Sequence, residues 1–213
     1  MEKKDIYILH IEKALNDAEN QISKINDDIL KMHGMTGYKT RHFYNNILNI
    51  SDARYLEIGM WRGSSICSAM YNNNATIVGI DNFSQFLNNN ENMFEILLEN
   101  VEKFKGINNV KIINENCFTL DILNLPKFNI YMYDGDHEEI SHYKALEYYY
   151  NALDDIFIYI VDDWNNEPIR NATYKVINDL NLTIVYKKEI FTPANCTGDW
   201  WNGMVVFLLS KIN

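Results

Sequence analysis

The stretch YLEIGMWRGSS, residues 55–65, changes from an apolar strand through glycines to a helical start. Glu57 closes the strand, Gly59 and Gly63 follow, and a helix is predicted to begin near Ser64. The glycines let the backbone turn tightly and approach a ligand, and a helix N-terminus carries partial positive charge. The spacing E-x-G-x-x-x-G is not the G-x-G-x-x-G dinucleotide fingerprint. By itself, the motif therefore leaves a plain turn and a ligand-binding turn equally open.

Five short runs rich in β-branched and aromatic residues occur between residues 53 and 161, with helical stretches between them. The runs are ARYLEI (53–58), ATIVGI (75–80), NVKII (109–113), FNIYMY (128–133) and IFIYIV (156–161). Because near-continuous apolar strands need cover on both faces, this alternation predicts an α/β fold with a parallel sheet. Two further strand patterns, at 182–191 and 203–210, have no helix between them and predict an antiparallel hairpin.

The N-terminal segment shows apolar residues at alternating intervals of three and four. They are Ile8, Ile11, Leu15, Ala18, Ile22, Ile25, Ile29 and Met32. This spacing predicts one helix from residue 5 to about residue 32, ending near Gly34. We therefore expect an N-terminal helical extension, residues 1–35, followed by a main domain, residues 36–213. The extension is expected either to pack on the domain or to pair with another copy, which would give a homo-oligomer.

The overall composition restricts the partners and the location. A chain of 213 residues fits one α/β domain with a sizeable core. Its net charge of −10, without a basic stripe, argues against a nucleic-acid partner. The three cysteines lie far apart, and no apolar run approaches the roughly 18 residues of a membrane span. We therefore expect a reduced, cytoplasmic protein with no membrane partner.

Polar residues follow the second and third strands at the edge where doubly wound sheets bind ligands. Asp81 ends the second strand, where an acid can hold the two hydroxyls of a ribose. The alternative for Asp81 is a turn cap, which is common for an Asp-Asn pair. Asn116 follows the third strand and has the groups to hydrogen-bond a base edge, although alone it is an ordinary turn residue.

Acidic residues follow the fourth and fifth strands. Asp134 ends the fourth strand, with His137 close behind, and the pair Asp162–Asp163 ends the fifth. Because these strands are expected to be neighbours, the three carboxylates should converge, repel one another and raise their own pKa values. Hard oxygen ligands of this kind suit Mg²⁺ or another divalent cation, which would relieve the repulsion. The alternative is a set of acidic strand ends that simply face water.

Four segments together resemble a known family. They are YLEIGMWRGSS, TIVGIDNF, YMYDGDHEEISHYKAL and the VDDW strand end. With them the chain resembles the class I S-adenosylmethionine-dependent methyltransferases. It is most similar to the small metal-dependent O-methyltransferases related to the macrolide-sugar methyltransferases. The resemblance covers about residues 36–210 and implies a Rossmann-like, doubly wound, seven-stranded sheet, mostly parallel with the last strand antiparallel.

The resemblance also implies a role for each residue of the predicted site. For the cofactor S-adenosylmethionine, it implies that Glu57, Gly59 and Gly63 border the methionine part, Asp81 takes the ribose hydroxyls, Asn116 and Cys117 lie near the adenine, and Asp134 adjoins the cofactor. For the metal, it implies that Asp134, Asp162 and Asp163 hold Mg²⁺. For catalysis, it implies that His137 is the general base beside Asp134. Of the acidic neighbours in the sequence, either Asp136 or Glu138 is expected to orient His137.

The predicted reaction is methyl transfer to a hydroxyl of a small molecule or a sugar. The segments 34–40 and 196–203 are expected to cover the acceptor, where Trp200 and Trp201 either stack on it or serve ordinary packing. One alternative is a nicotinamide-dependent oxidoreductase, which the missing G-x-G and the acidic cluster disfavour. The other is a non-catalytic protein that keeps the cofactor fold, which the filled base and metal positions disfavour.

Overall fold

The strands of the chain form a single twisted sheet in a computed structural model that describes residues 2–85 and 91–211. In chain order they are β1 Ala53–Ile58, β2 Ala75–Asp81, β3 Asn109–Asn114, β4 Phe128–Tyr133, β5 Leu153–Asp162, β6 Thr183–Ile190 and β7 Met204–Ser210. Their order across the sheet is β3-β2-β1-β4-β5-β7-β6. Strands β1 to β5 pair in parallel, whereas β7 runs antiparallel to both β5 and β6. The predicted fold class is confirmed.

Helices cover both faces of the sheet, as continuous apolar strands require. They are α1 Lys3–Glu19, α2 Asp27–Leu30, α3 Tyr38–Ile47, α4 Ser64–Met70, α5 Met93–Phe104, α6 Glu139–Tyr149 and α7 Glu167–Asp179. One buried cluster packs helices α1 through α5 against one face of the sheet. A second buried cluster packs α6 and α7 against the opposite face. Strand order reverses between β1 and β4, so the carboxyl ends of these two strands border the crevice where such sheets bind ligands.

The prediction of one long N-terminal helix is wrong, because the segment contains two helices, α1 and α2. Gln21 adopts a left-handed backbone, with φ of 55°, directly after α1. Its amide donates to the carbonyl of Ala18, and the amide of Ile22 donates to that of Asp17, which is a Schellman ending. The apolar spacing continues past this stop, but Ile22 is 59% exposed. Periodicity therefore did not reveal the break.

The N-terminal extension packs on the sheet instead of standing apart from it. Tyr7, Ile11 and Ala14 of α1 are buried in the same cluster as the strands. The Tyr7 hydroxyl also lies 3.2 Å from the Asn129 amide nitrogen, which donates to it. The division at residue 35 and the homo-oligomer remain predictions. Within residues 2–85 and 91–211, no helix is long and apolar enough to cross a membrane.

Candidate active site

A cavity of about 620 Å³ opens at the carboxyl ends of the parallel strands. This volume lies within the usual range for small-molecule sites, about 300–1,000 Å³. Of the ten residues to which the sequence assigned a cofactor, metal or base role, eight line the cavity: Gly59, Asp81, Asn116, Cys117, Asp134, His137, Asp162 and Asp163. Glu57 and Gly63 lie behind the lining. The structure thus brings eight of the predicted residues to one space.

The turn between β1 and α4 depends on Gly59. Its φ is +85°, and a Cβ atom there would lie 1.9 Å from the carbonyl oxygen of Asp134. The Gly59 amide donates to the carbonyl of Ile80 at 3.0 Å, and the Asp134 amide donates to that of Ile58 at 2.9 Å. The carboxyl ends of β1, β2 and β4 are therefore held together around Gly59, a position that only glycine fits.

Asp81 holds this turn from the second strand. Its Oδ2 accepts from the amides of Met60 at 2.7 Å and Trp61 at 2.9 Å, and its Oδ1 accepts from the Phe83 amide at 2.7 Å. Asp81 therefore caps the neighbouring turns, which was the alternative to a ribose contact. Since each carboxylate oxygen has room for more than one donor, the ribose role is compatible with the cap and remains a prediction.

Glu57 lies under the cavity floor, fully buried. Its carboxylate accepts hydrogen bonds from the hydroxyls of Tyr55 at 2.7 Å and Ser65 at 2.5 Å. Burial raises the pKa of Glu57 to about 7, the charge of Asp81 adds to this, and the two hydroxyls act against it. Glu57 is therefore placed to hold the β1–α4 turn from below.

Replacing Glu57 with glutamine should change how stability depends on pH. A carboxyl whose folded pKa is raised favours the folded state at low pH, and this contribution is lost as pH rises through 7. Between pH 5 and 8, the wild type should therefore lose roughly 2–3 kcal/mol of unfolding free energy relative to Glu57→Gln. Urea unfolding at both pH values measures this. Glu99→Gln, at an exposed position on α5, is the control. The prediction would be refuted if the wild type and Glu57→Gln differed in unfolding free energy by the same amount at both pH values.

The acidic residues converge as predicted. Burial, followed by the charges of Asp163 and Glu57, raises the pKa of Asp134 well above its usual range. Burial and the charges of Asp134 and Asp163 likewise raise the pKa of Asp162. The raised pKa values favour the protonated, neutral forms of Asp134 and Asp162. Part of the expected repulsion is thus relieved by protonation.

His137 joins this group from the loop that precedes α6. Its Nδ1 lies 3.1 Å from Oδ2 of Asp163, and its Nε2 lies 3.7 Å from Oδ1 of Asp134. The other oxygen of Asp163 accepts from the Asn202 amide at 2.5 Å. A carboxylate that is itself fixed can hold an imidazole ring in one orientation. Asp163 and His137 therefore form a carboxylate–histidine pair at the cavity wall.

The expected orienting partners of His137 are wrong. Asp136 instead accepts from the Ser141 hydroxyl at 2.6 Å and from the Gln85 amide at 3.3 Å. Glu138 is exposed and precedes the first turn of α6. The partner is Asp163, which the sequence marked only as a metal ligand. Asn202, which fixes Asp163, lay in a segment expected to cover the site but carried no signal of its own.

The aspartates do not assemble a metal site as they stand. In the part of the chain that the structure describes, no group of three or more His, Cys, Asp or Glu side chains is placed to hold a metal ion. Both oxygens of Asp163 are engaged, by Asn202 and by His137. The donor atoms are of the type that Mg²⁺ prefers, but their arrangement does not fit the ion.

The third strand end forms the opposite side of the cavity. The Asn116 side-chain oxygen accepts from the Phe118 amide at 2.9 Å, which makes a local turn. The carbonyl of Cys117 accepts from the Tyr149 hydroxyl at 2.6 Å, and burial raises the pKa of the Cys117 thiol to about 11. Cys117 is thus a neutral, apolar part of the lining. Its place near an adenine remains a prediction.

Two segments cover the cavity, as expected. Met35 and Thr36 line it from the N-terminal side, and the buried guanidinium of Arg41 fixes their segment. Arg41 donates to the carbonyls of Ile29 at 2.7 Å and Met32 at 2.9 Å, besides those of Leu30 and Thr36. No pattern in the sequence indicated this role for Arg41, because a single arginine on a helix ordinarily faces water.

The second covering segment, 196–203, is joined to the first. The amides of Tyr38 and Lys39 donate to the carbonyls of Gly198 and Asp199, at 2.8 and 3.0 Å. Trp200 serves ordinary packing, whereas Trp201 is in a position to contact an acceptor. Trp200 is buried, and its indole donates to Glu19 of α1 at 3.0 Å, whereas Trp201 lines the cavity.

Comparison with known proteins identifies the fold. No family model matches the chain, and no curated protein matches its sequence. An O-methyltransferase from Bacillus cereus in complex with S-adenosylhomocysteine (SAH) is 11% identical, with a TM-score of 0.57 over 94% of this chain and 90% of that one. A cofactor-bound protein from MTB is 14% identical, with a TM-score of 0.58 over 94% and 91%. An SAH-bound methyltransferase from Podospora anserina is 14% identical, with a TM-score of 0.54 over 93% and 86%.

At these identities the comparisons show the fold. The chain has the fold of the S-adenosylmethionine-dependent methyltransferases, and the resemblance stated from the sequence is confirmed at that level. The closer link to the macrolide-sugar methyltransferases remains a prediction.

Proposed function

We propose that the protein is an S-adenosylmethionine-dependent O-methyltransferase that acts on a hydroxyl of a small molecule or a sugar. One observation supports this most directly. The glycine turn of β1 and the His137–Asp163 pair open onto the same cavity, on a sheet whose structural neighbours bind SAH. A cofactor turn and a base beside one space are what methyl transfer to a hydroxyl needs.

The residues present fit the cofactor. The turn at Gly59 brings backbone close to the cavity at the N-terminus of α4, Asp81 lies beside it, and Asn116 and Cys117 form the far wall. These residues would hold the methionine, ribose and adenine parts in that order. When bound, S-adenosylmethionine supplies an activated methyl group on a sulfonium, so the cofactor carries the difficult chemistry.

The remaining task of the chain is to remove the hydroxyl proton. With Nδ1 of His137 donating to Asp163, the neutral ring keeps a lone pair on Nε2, which takes the proton of the acceptor. The carboxylate of Asp163 stabilises the imidazolium that results, and Asp134 lies 3.7 Å from Nε2 on the other side.

Magnesium has no step in this mechanism. The resemblance to metal-dependent enzymes supports it as a cofactor, whereas the engaged oxygens of Asp163 oppose it. Activity assays with EDTA, and with Mg²⁺ added back, separate the two proposals. A rate indifferent to EDTA supports His137 acting with Asp163 alone, and a rate restored by Mg²⁺ would show that the aspartates rearrange around an ion.

Cofactor binding is the first test of the proposal. At 100 times its dissociation constant, a ligand that binds only the folded state stabilises it by about 2.7 kcal/mol. We expect SAH and S-adenosylmethionine to raise the melting temperature by several degrees and NAD to leave it unchanged. Stabilisation by NAD and not by SAH would favour the oxidoreductase alternative. Binding of SAH without methylation of any hydroxyl acceptor would favour the non-catalytic one.

A further inference from the structure

Trp201 occupies a strained position in the cavity wall. Its φ is +57°, a left-handed conformation that costs an L-residue with a side chain about 1–2 kcal/mol. Its carbonyl accepts from the Thr197 amide at 3.3 Å and from the hydroxyls of Thr197 and Thr192 at 3.1 and 3.2 Å. Strain of this kind persists where the surroundings impose it, and it is frequent at ligand sites.

The next residue ties this strained turn to the base. The Asn202 side chain accepts from the Cys196 amide at 2.7 Å and donates to Asp163 at 2.5 Å. The same Asp163 carboxylate holds His137. The backbone of Trp201 is therefore fixed next to the segment that positions the base, and Trp201 belongs to the cavity lining. Trp200, its neighbour, packs into the core against Phe43 instead, with ring centroids 6.4 Å apart.

The cavity has a one-sided charge distribution. Six carboxyl groups line it, those of Asp81, Glu115, Asp134, Asp136, Asp162 and Asp163. Among the described residues of the lining there is no lysine and no arginine, and His137 is the one basic side chain. A space of this kind repels an anionic acceptor and concentrates a cationic one. An indole face attracts a cation as well, by about 0.5–2 kcal/mol.

We propose that Trp201 is the platform for the acceptor, and that the acceptor is a hydroxylated ring carrying a protonated amine. The ring lies against the indole, which suits both a sugar face and an aromatic one. The ammonium group faces the carboxylate of Asp163 and the other acidic side chains of the cavity lining. This inference rests on the proposed function and assigns the substrate class of the same site.

Two probe series on SAH-saturated protein test the proposal. Dopamine, catechol and 3,4-dihydroxybenzoate share an aromatic ring and differ in charge, and glucosamine, glucose and glucuronate do the same for a sugar. We expect the amine of at least one series to bind tenfold or more tightly than the neutral probe, and the acid more weakly still. The series whose amine binds more tightly identifies whether the ring of the acceptor is aromatic or a sugar. A carboxylate probe that binds as tightly as its amine would overturn the proposal.

Variants at Trp201 test the platform. Trp201→Asn removes the ring with a residue that tolerates the left-handed backbone, so the turn should be kept. We expect about tenfold weaker binding of the amine probe to Trp201→Asn and no more than about threefold to Trp201→Phe, with SAH affinity unchanged in both. Phe191→Ala, which removes an exposed aromatic outside the cavity lining, is the control.

The outcomes separate this inference from the proposed function. If SAH binds but Trp201→Asn holds the amine as tightly as the wild type, the platform is refuted and the methyltransferase proposal stands. If SAH binds but neither dopamine nor glucosamine does, only the proposed substrate class is refuted. If SAH itself fails to bind, the proposed function fails, and this inference fails with it.

Discussion

Replacing Gly59 with alanine should abolish SAH binding and lower the free energy of unfolding by about 3 kcal/mol or more. The new Cβ would lie 1.9 Å from the carbonyl oxygen of Asp134, which is backbone and has no rotamer to move away. Alanine would also have to adopt a φ of +85°. Relief of the clash separates the ends of β1 and β4, and with them the cofactor turn and the base.

A matched control isolates the clash from the strain. Gly106 also has a positive φ, +52°, but a Cβ there would have nothing within 4 Å. Gly106→Ala should therefore show only the conformational cost, about 1 kcal/mol, and bind SAH normally. Urea unfolding and SAH titration of both variants measure the two effects. If Gly59→Ala resembled Gly106→Ala in both, the close approach of β1 and β4 would not be what forms the site.

The sheet could be predicted from the sequence because its information is local. The runs at 53–58 and 128–133 are apolar and β-branched or aromatic, and each matches the observed strand in both bounds. The carboxyl ends of parallel strands meet at one edge whatever the loops do. For this reason the strand pattern alone predicts that Asp134 and Asp163 lie close together.

What the sequence could not predict depends on contacts between distant segments. The partner of His137 is Asp163, 26 positions away and fixed by Asn202 from the hairpin loop, so local reasoning chose the adjacent Asp136 or Glu138. The end of α1 depends on a left-handed Gln21, which carries no composition signal such as glycine. The metal assignment did not take into account that Asn202 and His137 engage both oxygens of Asp163.

Replacing His137 with alanine should lower the rate of methyl transfer by about 10²–10⁴-fold, the usual contribution of a general base. SAH affinity should stay within about twofold, because the predicted contacts of the cofactor lie on the glycine turn and the β2 and β3 ends. The measurement is SAH formation with the probe of the two series that gives the highest turnover. Glu138→Gln, which changes the exposed neighbouring residue, should keep the wild-type rate.

Two further measurements distinguish a base from a structural histidine. Added imidazole should restore part of the rate of His137→Ala, since the wild-type ring is 42% exposed and its place is open to solvent. Asp163→Asn should lower the rate as well, since the imidazolium would lose the charge that stabilises it, and imidazole should not rescue this variant. A rate of His137→Ala equal to that of the wild type would remove the base from the mechanism. The acidic residues would then need another route for the proton, and an ion held by rearranged aspartates would become the leading explanation for activation of the hydroxyl.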